Sequence, residues 1–209
     1  MYRLISATPS PYARKVRIAL LEKGVPFELV TEVPWNSETE TPRWNPLEKL
    51  PVLITPDGAS VFESRYVLEW IEIKHPEPAL APKNSDDLLA MKRFEVIADG
   101  ACDALVLMFI ERSRAVPSPE WTARQKRKAD GALRDLAATI GNSEFCVAGR
   151  LTYADLAVAS LLGWLRVRMP DFGWETLHPN LEAYTGRLEA RPSFRATVPS
   201  GQVIRDRVA

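Results

Sequence analysis

Three short stretches of this chain place acid, hydroxyl and backbone groups at spacings that suit one small ligand. Glu63-Ser64 stands directly before the helical pattern RYVLEWIEIKH. That position joins a carboxylate and a hydroxyl to the unpaired N–H groups of a helix start. Leu50-Pro51 lies thirteen residues earlier and opens VLITPDGASVF, which reads as strand, turn, strand. Ser10 precedes Pro11 at the head of another helical pattern. A carboxylate can hold an ammonium, a hydroxyl and helix N–H groups can hold a carboxylate, and an extended edge can pair with an amide. The set suits a zwitterionic peptide, with Ser10 free to act on a reactive group. Each feature also has a plain structural use: Ser10 and Ser64 are both good helix caps.

The elements that would position these groups alternate over the first ~78 residues. Tyr2–Ser6 and Phe27–Thr31 read as strands on either side of a helix that begins at Pro11 and stops at Gly24. Residues 34–48 are rich in Pro, Asn and Glu and read as a loop with at most a short helix. A hairpin over Val52–Phe62 turns at Pro56-Asp57-Gly58, and a helix from Ser64 to about Lys74 closes the unit. The order βαβαββα makes one small mixed sheet covered by helices, the thioredoxin-like arrangement.

Three prolines between His75 and Lys83 mark a linker. From residue 86 only helical patterns follow, over about 86–114, 119–140, 153–168 and 181–190. The expected division is 1–78, a linker 79–85, and an all-helical domain 86–209. Within it, Thr152-Tyr-Ala-Asp155 reads as a capping box of structural value, for which Asp155→Ala should cost ~1 kcal/mol.

Bulk properties narrow the function. Lys plus Arg equals Asp plus Glu at 27 each, so a nucleic-acid partner is not expected. The cluster Arg124–Lys128 reads as a solvated helix face. No apolar run approaches a membrane span and the N-terminus has no signal-peptide core, so a cytoplasmic protein is expected. Cys102 and Cys146 are far apart, which fits a reducing compartment without disulfides. His75 and His178 have no partners at metal-ligand spacing, so no metal is expected.

SPYARKVRIALLEKG (10–24), NPLEKLPVL (45–53), ES (63–64) and TYAD (152–155), in this order and at these spacings, resemble the glutathione transferase family over essentially the whole chain. The likeness is strongest to bacterial members related to the serine-type classes. It implies a transferase that activates glutathione as a thiolate at Ser10 and conjugates it to small electrophiles or reduces peroxides with it. A cis Leu50-Pro51 bond would expose Leu50 to the cysteinyl backbone. Lys49, with Arg43 behind it, would meet the glycyl carboxylate, and Glu63 and Ser64 would hold the γ-glutamyl end. Arg14 either adds positive potential near the thiolate or lies on a solvated face. Thr8 is a second hydroxyl in the same loop. The family implies a homodimer. The long helix after the linker offers Ala98, Asp99, Cys102 and Phe109 toward a second substrate or an interface, and Trp164 joins them from a later helix. Met108, Phe109 and Trp164 read first as core, and Asp99 either reaches glutathione across a dimer interface or pairs locally. The same resemblance also admits a non-enzymatic partner-binding module and a glutathione-dependent isomerase or dehalogenase.

Overall fold

The computed structural model describes residues 1–206. Four strands, β1 (Tyr2–Ser6), β2 (Phe27–Thr31), β3 (Val52–Ile54) and β4 (Ser60–Val61), form one sheet in the order β2-β1-β3-β4. β1 and β2 run parallel, and β3 is antiparallel to both β1 and β4. The parallel pair is joined by helix α1 (Pro11–Glu22), as a crossover requires. Between β2 and β3 the chain makes only a single 3-10 turn at Thr41–Arg43, where a loop or short helix was expected. Helix α2 (Ser64–Lys74) completes this half.

Strand alternation separates two apolar layers. Leu4 and Leu53 join the main core with Val16 and Leu20 of α1 and Val67 and Ile71 of α2. Ile5 and Val52, one residue along in each strand, face the other way and pack with Leu50 and Ile54. α1 starts at its Ser10 cap and ends in a Schellman turn. Gly24 takes a φ of 64°, and the Val25 N–H reaches the Leu20 carbonyl at 2.9 Å.

The remainder is helical, as expected. α3 (Ser85–Glu111) is capped by Asn84, α4 (Pro119–Ile140) by Ser118, and α5 (Tyr153–Arg168) follows the capping sequence. Three shorter helices end the chain: α6 (Trp174–Leu177), α7 (Pro179–Glu189) and α8 (Pro192–Arg195). α5 is the hub, with every residue from Tyr153 to Leu165 buried. The Arg124–Lys128 segment is largely a solvated face of α4, where Lys126 pairs with Asp130 at 2.8 Å, although Gln125 is buried. No helix among the described residues is long and apolar enough to cross a membrane.

The two halves are joined through the charges of α1. Arg14 is fully buried. It donates to both carboxylate oxygens of Glu189 at 2.8 Å and to the Ala159 carbonyl at 3.2 Å. Lys15 holds Asp99 of α3 at 2.7 Å, and Glu22 accepts from Arg191 and Ser193. The expectation that Arg14 lies near a thiolate or on a solvated face is therefore corrected. α1 is sandwiched between the sheet and the helical half, so Arg14 and Lys15 are spent on structural pairs. Gly163 of α5 belongs to the same contact, because a Cβ there would collide with the Arg14 guanidinium, which its partners hold in place.

Candidate functional site

A cleft of about 620 Å³ opens between the sheet half and the helical half. Its first wall is built from the three stretches singled out in the sequence: Ser10, Lys49-Leu50-Pro51 and Glu63-Ser64 all line it. The fold assembles them because α1 and α2 begin at the same end of the sheet at which β3 starts.

Ser10 caps α1, with its Oγ accepting from the Ala13 N–H at 3.2 Å. A hydroxyl has one proton to donate, and no protein acceptor among the described residues takes that of Ser10. Pro11 has no N–H and Ser10 occupies that of Ala13, which leaves the Tyr12 N–H as the free first-turn donor. The neighbouring Thr8 hydroxyl is already committed to the Ser200 carbonyl at 3.3 Å. Behind this loop lies Arg17, 7% exposed, which donates to the carbonyls of Thr8 and Thr197. It has no carboxylate partner among the described residues. Burial, with a smaller contribution from Arg14, pushes its pKa down to about 10, so it remains a cation at neutral pH.

Leu50-Pro51 is a cis bond, and Leu50 is 8% exposed. The loop before it is held from within by Asn45. This fully buried side chain donates to the Lys49 carbonyl at 2.7 Å and accepts from the Leu47 N–H at 2.9 Å. The role of Asn45 was not foreseen, since an Asn-Pro pair by itself reads only as a turn. Lys49 is exposed on the rim, whereas Arg43 pairs with Glu40 in solvent.

The sequence reading made Ser64 the cap of α2; in the structure Glu63 is the cap instead. One Glu63 oxygen accepts from the N–H groups of Arg65 and Tyr66 at 2.9 and 3.3 Å. Ser64 is the first helical residue, 2% exposed, and its hydroxyl is buried without a hydrogen-bond partner although the residue lines the cleft. Those two helix N–H groups are therefore not available to a ligand, but the second Glu63 oxygen and the Ser64 hydroxyl are.

The opposite wall comes from α3 and α5. Asp103, Val106, Leu107 and Ile110 line it at the i, i+3, i+4, i+7 spacing of one helix face. Of the two alternatives for Asp99, local pairing is the one observed: it stands one turn before Asp103 on the same stripe of α3 but is closed off from the cleft, and Cys102 lies to the core side of that stripe. Asp99 is 4% exposed and its carboxylate is occupied by Lys15 and Arg65, and Cys102 is 3% exposed. Burial, more than the nearby Asp99, pushes the Cys102 thiol pKa up. Neither lines the cleft. Phe109 and Trp164 do line it, and they also pack edge to face at 6.1 Å, so they serve as core and as the cleft floor together.

Tyr12, Trp35, Arg168, Gln202 and Ile204 line the cleft without having been anticipated there. The Tyr12 hydroxyl donates to Asp103 at 2.5 Å, linking the two walls. Gln202 and Ile204 belong to the segment after α8, which returns across the sheet half. The Gln202 side chain donates to the Glu32 carbonyl, and the Arg205 N–H donates to Asn36. A segment without periodicity gives no sequence signal of where it lands.

The glutathione S-transferase N-terminal domain profile matches residues 9–73, and the C-terminal domain profile matches residues 119–187. The GST-like protein YibF of Escherichia coli is 33% identical over 199 residues, 94% of this chain and 98% of that protein. A glutathione S-transferase from Methylobacterium radiotolerans, crystallised with glutathione sulfonate, superposes with a TM-score of 0.97. It is 57% identical, over 100% of this chain and 99% of that one. Another from Methylobacillus flagellatus, with glutathione bound, gives a TM-score of 0.91 at 33% identity, over 95% and 100% of the two chains.

Proposed function

The chain belongs to the glutathione S-transferase family, and we propose that it binds glutathione in this cleft and holds the thiol as a thiolate for attack on small electrophiles. The observation that carries this is the buried, unpartnered Ser64 hydroxyl on the same cleft wall as the uncommitted proton of Ser10. Glutathione brings one group for each feature of that wall. Its ammonium pairs with the free Glu63 oxygen and its α-carboxylate accepts from Ser64. Its cysteinyl amide lies along Leu50, and its glycyl carboxylate is within the range of Lys49.

A free thiol has a pKa of ~8.5, so only ~3% is ionised at pH 7. Lowering that value by two units requires about 2.7 kcal/mol of preference for the thiolate. The Ser10 hydroxyl, the Tyr12 N–H at the positive end of α1 and the buried Arg17 cation all act in that direction. The thiolate sulfur then attacks an electrophilic carbon, a C–S bond forms, and the leaving group departs with its electron pair. Holding both reactants in one cleft supplies the rest through proximity. The same thiolate could attack a peroxide oxygen.

Titration calorimetry with reduced glutathione at neutral pH, in two buffers of different ionisation enthalpy, tests this. The expected result is binding with net proton release in the native protein, and binding without it in Ser10→Ala. That substitution is also expected to lower the conjugation rate ~100-fold, as the loss of one preorganised donor does. Binding without proton release in the native protein would remove the thiolate claim. No binding at millimolar glutathione would remove the whole proposal and favour a partner-binding module.

A further inference from the structure

The electrophile side of the cleft carries a cation whose use is not explained by packing. Arg168 is the last residue of α5 and lines the cleft. Its guanidinium lies 4.8 Å from the centre of the Phe109 ring, on that ring's face. One of its amino groups donates to the Gln202 carbonyl at 3.0 Å, and its remaining donors have no protein acceptor among the described residues. No carboxylate among the described residues lies in ion-pair range of it. Arg166, two residues earlier in the last turn of α5, contrasts with it, since Glu175 and Glu182 both pair with Arg166. Both cations complement the helix dipole, and Arg168 is the one that has no acid partner among the described residues. Burial lowers the pKa of Arg168, and no neighbouring acid offsets this.

The acids that do line the cleft are otherwise engaged or peripheral. Asp103 accepts from Tyr12, Glu63 caps α2, and Glu48 is exposed on the rim. A guanidinium held over an aromatic ring, with most of its donors unengaged, can grip a planar anion with two parallel hydrogen bonds. Around it the wall is apolar, with Val106, Leu107, Ile110 and Ile204.

We infer that the second substrate is an apolar, preferably aromatic electrophile bearing a carboxylate, and that Arg168 is the residue that binds this carboxylate. The apolar body lies along the α3 wall, and the Arg168 fork fixes which of its carbons meets the sulfur. The inference rests on the glutathione reading above, and it adds to it the chemical class of the co-substrate.

The test compares matched ligands that differ only in the anionic group. A chlorodinitrobenzoate and its methyl ester both react by attack of the thiolate on the chlorine-bearing carbon. The C–S bond forms and chloride leaves with the C–Cl electron pair, the thiol proton having already passed to solvent. S-(carboxybenzyl)glutathione and S-benzylglutathione form the corresponding non-reacting pair for calorimetry. In the native protein the carboxylate member is expected to be favoured ~10-fold or more, in kcat/KM for the first pair and in affinity for the second. In Arg168→Gln that ratio should collapse toward one. Arg168→Lys, which keeps the charge but loses the fork, should restore only part of it. If the native protein binds S-benzylglutathione but shows no preference for the carboxylate form, this inference is overturned and the glutathione reading stands. An unchanged ratio in Arg168→Gln, with both ligands weakened alike, would assign Arg168 to holding Gln202 and also overturn it. Failure to bind either S-substituted glutathione would overturn both.

Discussion

Ser64 is the residue at which sequence type and structural burial meet most closely. A serine at the first position of a helix can sit in water at no cost, but here its hydroxyl is buried without a partner. A buried hydroxyl that lacks a hydrogen bond costs of order 1–3 kcal/mol, and a ligand carboxylate would recover that. Ser64→Ala should therefore weaken glutathione binding ~10-fold while leaving thermal stability unchanged or slightly raised. Calorimetric affinity and a melting curve, measured together, check this. A protein that melts lower without losing affinity would make Ser64 a residue of structural value only. Glu63 does two jobs with two oxygens, which reconciles its role as the observed cap with a role as ammonium partner. Ser10, Lys49, Leu50, Pro51, Glu63 and Ser64 were legible in the sequence as one wall of the cleft. The division of labour between Glu63 and Ser64 was not: Ser64 read as the cap, and Glu63 takes that place.

At the scale of elements, the start of α5 shows how much context changes a local estimate. The Asp155 carboxylate reaches back to the Thr152 N–H at 2.7 Å, as the capping pattern suggests, and also accepts from the Thr152 hydroxyl at 2.9 Å. It further accepts from the Cys146 N–H at 2.8 Å and the Tyr184 hydroxyl at 2.6 Å, and it is fully buried. A cap on an exposed helix is worth ~1 kcal/mol. Removing a buried carboxylate strands four donors, so Asp155→Ala should cost about 3 kcal/mol or more. Chemical denaturation of the variant checks this, and a loss near 1 kcal/mol would mean the donors find other partners. α3 was legible as a helix, but which of its residues reach the cleft was not: Phe109 does, whereas Ala98, Asp99 and Cys102 are buried away from it. Its apolar residues occur nearly all round, so periodicity alone could not say which stripe meets α4 and α5 and which meets the cleft.

At the scale of the molecule, α1 decides the architecture. Its sequence mixes Arg14, Lys15 and Arg17 with apolar residues in a way that suggests one wet face, yet nearly the whole helix is buried. A second face of the molecule remains unpartnered. Tyr66 and Ile73 on α2 and Leu89 and Val96 on α3 are large, apolar and 55–77% exposed. These two helices are bridged by Arg65–Asp99 and Lys92–Glu69, so the four residues belong to adjoining surface. We propose that this surface pairs with a second copy of the chain, since exposed apolar surface on a small domain commonly marks an interface. Light scattering is expected to give twice the 23.4 kDa chain mass, and Val96→Glu is expected to shift it toward the monomer. A monomer in the native protein would remove the proposal. The sequence alone determined the strands, the longer helices, their order and the three stretches that line one wall of the cleft, but not α6 and α8. Hydrophobic periodicity, caps and turn residues act over a few positions and are written in neighbouring letters. Only the tertiary structure decided which charges are buried, which face of α3 meets the cleft, and that Arg168 and Gln202 line it with Ser10. Those facts depend on contacts between residues from 34 to 175 positions apart, where burial and pairing are set by packing that no local pattern encodes.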